Sequence, residues 1–369
     1  MGFTPPPYPH DRLAGLREVA TAVEGGIVDA SVGTPVDPMP ELVVRALADA
    51  VPESTGYPPS IGSPELREAA SEWMARRLGV ICAAAHVIAC IGTKEIVASL
   101  PRSLSLRDPS RDTVLYPAVS YPTYAMGATM ASLRAVAVPV DGQWHPDLSS
   151  VSDDDARRSL VLWLNEPSNP TGSALDATAM VDAVEWARSR GIVVASDECY
   201  VEFTEGQDRA SALAAGGDGV LGVHSLSKRS NMAGLRAGFV AGDAELVTYL
   251  GELRKHAGMM VPRPVQAAAT AALGDDGHVT QQRERYAKRR VELRSALEEV
   301  GLVHDGGEST FYLWLADRDG ADGWKIAERL AAAGLLVAPG DFYGDDTHAR
   351  LSLTITDADV TLAASRLTR

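Results

Sequence analysis

Lysine is nearly absent from this chain. Of 34 lysine and arginine residues, only five are lysines: Lys94, Lys228, Lys255, Lys288 and Lys325. Cysteine is as sparse. Cys82, Cys90 and Cys199 are scattered, which excludes a disulfide framework and a cysteine zinc site. The eight histidines lie far apart, with no pair at helical ligand spacing. Positive charge is in deficit overall. A net charge of −15 and a pI of about 5.0 argue against nucleic acid or an anionic membrane as the main partner. A small acidic substrate stays open, because a local arginine cluster can outweigh the global sign. No apolar run approaches the ~20 residues of a membrane span. The opening MGFTPPPYPHDRL has no basic stretch followed by an apolar core. A cytoplasmic location is the expectation.

What is present is a large apolar fraction, 46% of 369 residues, enough for two domains or one large domain with an appendage. Residues 2–10 read as a proline-rich extended arm. Asp11 to Val23 reads as a helix with Asp11 as N-cap. From about 85 to 242, short apolar runs alternate with helical patterns. DTVLYP (112–117), SLVLWLN (159–165), GIVVASD (191–197), GVLGVHS (219–225) and AGFVAG (237–242) read as buried strands. Between two of them, 176–191 reads as a helix closing on Gly191. The acidic triplet 153–155 reads as a helix start. This alternation predicts an α/β fold: a large domain whose mostly parallel sheet is flanked by helices. After Val265 the pattern changes to a long helix near 279–300, then FYLWLA (311–316), a helix near 322–333, LLVAPG and ARLSL. That predicts a smaller α+β domain. The expected division is 40–265 for the large domain, and 1–39 with 266–369 for the small one.

Polar residues just past strand ends point into the ligand crevice of such sheets. Here those ends carry Asn169 in NPTG, Asp197 and Tyr200 in DECY, and Ser225, Ser227 and Lys228 in SLSK, with Arg236 eight residues beyond. Upstream, CIGTKE sets Gly92, Thr93 and Lys94 between a strand and a helix. A glycine turn at a helix N-terminus cradles a phosphate, because free N–H groups and the helix dipole both favour an anion. The set matches one composite ligand. A phosphate fits the Gly92–Thr93 turn, the two serines and Arg236. A pyridine nitrogen wants a carboxylate, Asp197; a ring oxygen wants donors, Asn169 and Tyr200. An aldehyde wants an amine, and an ordinary lysine is neutral only on the order of one part in a thousand near pH 7. Burial beside Arg236 would lessen that deficit. The ligand with all four groups is pyridoxal 5′-phosphate.

Each motif alone has a plainer reading. A serine–lysine pair is ordinarily a turn, NPTG a tight turn, and DECY a strand end. Cys199 reads as core and His224 as a packed histidine. The joint order and spacing are what is specific: NPTG, then D-x-x-Y with its aspartate 28 residues after Asn169, then S-x-S-K, then Arg236.

On those residues the sequence resembles class I and II aminotransferases of the fold-type I pyridoxal-phosphate superfamily, over nearly its whole length. The resemblance implies a cofactor held by Lys228, with Asp197 on its ring nitrogen and Lys228 moving the substrate α-proton. SVGTP (31–35) resembles the segment whose glycine, Gly33, lies over the substrate. TGYPPSIGSPELREA (55–69) resembles the segment whose tyrosine, Tyr57, reaches the cofactor phosphate of a neighbouring subunit, which implies a homodimer with composite sites. YPTY (121–124) resembles the segment whose Tyr121 stacks on the pyridine ring. ARLSL (349–353) resembles the strand whose Arg350 grips the substrate α-carboxylate.

The run SLSKRSNMAGLRAGFVAGD (225–243) resembles N-succinyldiaminopimelate aminotransferases. That substrate implies cations beyond Arg350, with Arg263 and Arg229 as candidates. Other aminotransferases of the aspartate, aromatic or alanine type, and carbon–sulfur lyases, share the motifs. A pyridoxal-phosphate-sensing regulator would need a DNA-binding module and the opposite charge. Neither G-x-S-x-G nor G-x-x-x-x-G-K-[ST] occurs, which argues against a hydrolase or kinase of those types.

Overall fold

The computed structural model describes residues 3–204 and 209–368. Seven short apolar runs form one sheet: β1 (Val87–Cys90), β2 (Thr113–Pro117), β3 (Arg134–Val138), β4 (Ser159–Asn165), β5 (Val193–Asp197), β6 (Val220–Ser225) and β7 (Gly238–Gly242). Their spatial order is β1-β7-β6-β5-β4-β2-β3. Strands β2 to β6 pair in parallel; β7 runs antiparallel to both its neighbours.

Helices cover both faces, so every residue of β4 is buried. Its side chains still alternate. Leu162 and Leu164 join an apolar layer with Trp73, Met180 and Val184, while Val161 and Trp163 join the opposite layer with Ile96, Leu100 and Tyr124. A strand covered on both sides needs no polar alternation, which is why SLVLWLN reads as one continuous apolar run. The parallel strands end on one edge, at Asn165, Asp197 and Ser225, and that edge is where polar side chains collect.

A second sheet holds β8 (Leu302–His304), β9 (Tyr312–Asp317), β10 (Ala338–Pro339) and β11 (Ala349–Ser352), in the order β10-β11-β9-β8 and all antiparallel. The N-terminal segment is stitched to this part of the chain. Val28–Asp29 pairs in parallel with Leu335–Leu336, the Ser352 N–H donates to Ala30 O at 2.8 Å, and the helix Ala14–Thr21 packs on the helix Gly323–Ala332.

Two expected helix ends move. Asp11 caps nothing: Pro9, preset for a first helical turn, opens a short 3-10 segment, Pro9–Leu13, and the α-helix runs from Ala14 to Thr21. The helix expected to close on Gly191 stops at Arg188, and Gly191, at φ +65°, makes the turn that leads into β5. The acidic triplet does begin a helix, Asp153–Arg158, capped by the Ser152 hydroxyl.

Candidate active site

The strand ends and the second sheet enclose a cleft of about 480 Å³. Lys228 enters it from a four-residue helix, Leu226–Arg229, that begins directly after β6. The Ser225 hydroxyl caps that helix by accepting from the Ser227 N–H at 3.1 Å. Successive residues on a helix point about 100° apart. Lys228 therefore faces the cleft while Arg229 turns into the protein, where it meets Glu202 at 3.4 Å and the Ala272 carbonyl at 2.7 Å. Arg229 is thus no substrate ligand in this chain's cleft. Its guanidinium is buried and already paired. Arg263, the other candidate, opens a helix on the surface and pairs with Glu53 at 3.2 Å, also outside this chain's cleft.

The Lys228 ammonium donates to the Gly33 carbonyl. Burial, and then the Arg350 and Arg236 charges, pull its pKa down to about 8. At pH 7 roughly one such amine in ten is neutral, against one in thousands for an exposed lysine. Asp197 ends β5 with its carboxylate buried. Burial raises its pKa, and hydrogen bonds from the Tyr124 hydroxyl and the Cys199 N–H oppose that rise. Among the described residues this carboxylate has no cation paired with it, and a protonated ring nitrogen would complete it.

At the other end, Gly92 caps the helix Thr93–Arg107 at φ +70°. A Cβ on Gly92 would lie 2.2 Å from Arg236 Nη2, so only glycine lets the guanidinium close over this helix N-terminus. Arg236 itself sits at φ +58°, a left-handed conformation uncommon for a non-glycine, and donates to the Ala233 carbonyl at 2.9 Å. Thr93, Ser225, Ser227 and Arg236 line the same end of the cleft. This cradle fits a phosphate, the Asp197 end a pyridine nitrogen, and Lys228 an aldehyde. Asn169, Tyr200 and Tyr121 line the wall between them.

Arg350, on β11, is buried and has no carboxylate partner among the described residues. It donates to Asn169 Oδ1 and to the Ser31 carbonyl, both at 2.8 Å, and lies over the rings of Tyr312 and Tyr343 at 4.2 and 4.6 Å. Lys94 projects over Tyr8 and Tyr121, 5.0 and 5.9 Å from their centroids. Its side chain thus lies toward the arm rather than into the Gly92–Arg236 cradle. Tyr57 is 95% exposed and lies outside this chain's cleft. Cys199 lines the cleft as a thiol, its pKa raised well above the ordinary value by burial and by Asp197. His224 is packed between Trp73 and Phe239.

Among the lining residues that escape the sequence reading are Tyr8, His10, Tyr312 and Tyr343. Tyr8 stands just before the 3-10 segment Pro9–Leu13 and His10 lies inside it, and their rings stack with centroids 5.5 Å apart, a contact the proline-rich composition hides. Tyr312 becomes legible only once FYLWL pairs with ARLSL, because β9 sets Tyr312 opposite Ser352 and Trp314 opposite Arg350.

Comparison with known proteins agrees with this chemistry. The family model for aminotransferase class I and II matches residues 26–367. The chain is 46% identical to a probable aminotransferase of Mycobacterium tuberculosis, over 98% of this chain and 85% of that one. It is 44% identical to the 4-dedimethylamino-4-oxo-anhydrotetracycline transaminase OxyQ of Streptomyces rimosus, over 98% and 99%. Among solved structures, a probable N-succinyldiaminopimelate aminotransferase of Thermus thermophilus superposes with a TM-score of 0.87 at 30% identity, covering 96% of this chain and 98% of that one. The chain belongs to the class I and II aminotransferases, enzymes that work with pyridoxal 5′-phosphate.

Proposed function

We propose that the chain transfers the amino group of N-succinyl-LL-2,6-diaminopimelate to 2-oxoglutarate, giving N-succinyl-2-amino-6-oxopimelate and glutamate, as a step in lysine and diaminopimelate biosynthesis. The observation that carries this reading is a pair of cations in one cleft, Arg350 and Lys94. Neither has a carboxylate partner among the described residues. A donor with an α-carboxylate at one end and further carboxylates at the other would satisfy both. The SKRSN run and the Thermus structure support the same substrate.

In this reading the cofactor supplies an aldehyde and an electron-withdrawing ring. Lys228 would hold it, and its amine, when free, would serve as the base and then the acid that moves the proton at the substrate α-carbon. Asp197 holds positive charge on the ring nitrogen, with Tyr124 fixing the carboxylate. Asn169 and Tyr200 would donate to the ring oxygen, and Tyr121 would cover the ring. Gly92, Thr93, Ser225, Ser227 and Arg236 hold the phosphate. Arg350 orients the α-carboxylate, with Asn169 and Gly33 beside it. Residues 40–265 would form the cofactor-binding domain, and 1–39 with 266–369 the smaller one. The exposed Tyr57 suits a homodimer in which it completes the partner's phosphate site.

The experiment is a specificity profile with 2-oxoglutarate as acceptor. N-succinyl-LL-2,6-diaminopimelate should give a kcat/KM at least ~10-fold above aspartate, tyrosine and alanine, about 1.4 kcal/mol of discrimination. A higher value for any of those three would discard the substrate. A second reading is favoured by the 44% identity to OxyQ, whose name describes transamination of a polycyclic ketone. Activity toward such a ketone, with none toward the succinylated donor, would select it.

A further inference from the structure

The residues assigned so far leave the buried hydroxyl of Tyr312 without a role. Tyr312 stands between three groups of the site and belongs to none of their expected roles. Its hydroxyl is 2.9 Å from the Tyr200 hydroxyl, and both residues are buried. Its ring lies under the Arg350 guanidinium at 4.2 Å. On the third side it abuts Gly33, where an added Cβ would fall 2.0 Å from the Tyr312 oxygen. The Gly33 carbonyl is the acceptor of the Lys228 ammonium. One phenol thus touches the carboxylate anchor, the donor to the ring oxygen, and the backbone that receives the lysine.

We propose that Tyr312 is a positioning residue that carries the charge state of Arg350 to Tyr200, so that seating a carboxylate on Arg350 weakens the donation from Tyr200 to the cofactor's ring oxygen. The inference rests on the site reading above, in which Arg350 binds carboxylate and Tyr200 faces that oxygen. It does not depend on which amino donor the enzyme uses.

The physical argument runs through one shared proton. Two hydroxyls 2.9 Å apart share a single hydrogen bond. If Tyr200 gives its own proton to the ring oxygen, the shared one is Tyr312's, and Tyr312 donates to Tyr200. A donor strengthens when positive charge sits close to it, because that charge stabilises the negative character left on its oxygen. Arg350 is that charge, buried and unpaired by any carboxylate among the described residues. The other titratable groups coupled to the Tyr312 phenol, Tyr121, Tyr286, Tyr343 and Cys199, are neutral in their ordinary states. A substrate carboxylate on Arg350 cancels the nearest cation. Tyr312 then donates less strongly to Tyr200, and Tyr200 less strongly to the ring oxygen. Linked hydrogen bonds polarise one another in this way. Lys228 and the cofactor share a proton beside that oxygen. An oxygen less stabilised by Tyr200 keeps more negative charge and holds that proton to higher pH.

The test uses the cofactor-loaded enzyme and succinate, a dicarboxylate that cannot be transaminated. The quantity read is the pH midpoint of the cofactor's visible absorption band, with and without saturating succinate. Tyr312→Phe keeps the ring under Arg350 and removes only the hydroxyl. It should raise the midpoint without succinate by about half a pH unit, a ~3-fold change in the equilibrium. It should also shrink the further rise caused by succinate. In a Tyr200→Phe background the same substitution should change neither quantity, because the relay is already cut. Should Tyr312→Phe not fold, Tyr200→Phe alone must show the reduced response to succinate. A Tyr312→Phe enzyme whose midpoint and succinate response both match the wild type would overturn the proposal. So would an equal effect of Tyr312→Phe with and without Tyr200, which would mark a general change of cavity shape.

Discussion

The Tyr124 hydroxyl donates to Oδ2 of Asp197 at 2.9 Å from within the helix Thr123–Met130. The Tyr124 ring is fixed by stacking on Trp163 of β4, with centroids 5.1 Å apart. A helix and a strand of the large sheet thereby set the orientation of one carboxylate. Both groups are buried, so the bond works at low dielectric, where a donor to a charged acceptor is worth about 1.5–3 kcal/mol. Tyr124→Phe removes that donor while keeping the ring. Asp197 should become easier to protonate, and kcat should fall by about 10-fold with little change in KM, since the loss is felt where the ring nitrogen must stay charged. Steady-state kinetics across pH checks this: the acid limb of the kcat profile should move to higher pH.

A different substitution probes the phosphate end. Gly92→Ala puts a methyl where the Arg236 guanidinium lies and forces alanine to φ +70°. Binding of pyridoxal 5′-phosphate to the apoprotein should weaken by ~10- to 100-fold, about 1.4–2.8 kcal/mol. Equilibrium titration of the apoprotein measures it, and inorganic phosphate should compete less well against the variant.

The amine at 228 makes a pH prediction. Its pKa is lowered to about 8, so it is protonated and unreactive well below pH 8, and becomes neutral as pH rises through that value. The rate at which apoprotein takes up the cofactor covalently should climb between pH 7 and 9 and level off above. An ordinary lysine would still be climbing past pH 10. Stopped-flow absorbance at the visible band follows this directly.

Glu166 bears on stability rather than chemistry. It is 3% exposed, and burial raises its pKa to about 8. A carboxyl whose folded pKa exceeds its unfolded one favours folding while protonated. Its effect turns against folding as pH rises from the unfolded pKa, ~4.3, toward 8. Glu166 accepts from the Leu175 N–H at 2.9 Å, a bond that glutamine can keep. Glu166→Gln should therefore leave the unfolding temperature nearly unchanged at pH 5 and raise it at pH 9. Calorimetry at the two pH values reads the difference.

The sequence carries most of the candidate cofactor site because those residues hang on strand ends. Asn169, Asp197, Tyr200, Ser225, Ser227 and Lys228 all follow strands long and apolar enough to be read without a partner. Their local order in the chain is their order in the crevice. The substrate wall was legible only in part. Arg350 is visible through its strand, but Tyr312 faces the cleft because of a cross-strand register that no local pattern encodes. Tyr8 and His10 reach the cleft from an arm with no periodicity to read. Arg229 misled because neighbouring residues on a single helical turn look adjacent in sequence yet point in different directions.

The most direct test of the account asks which of five lysines takes the cofactor. Reduction of the loaded enzyme with borohydride makes a cofactor–amine adduct permanent, and peptide mass mapping then locates it. The account predicts a pyridoxyl-phosphate adduct on Lys228 alone, and loss of the adduct in Lys228→Ala. An adduct on Lys94, the other lysine in the cleft, or no adduct at all, would contradict it.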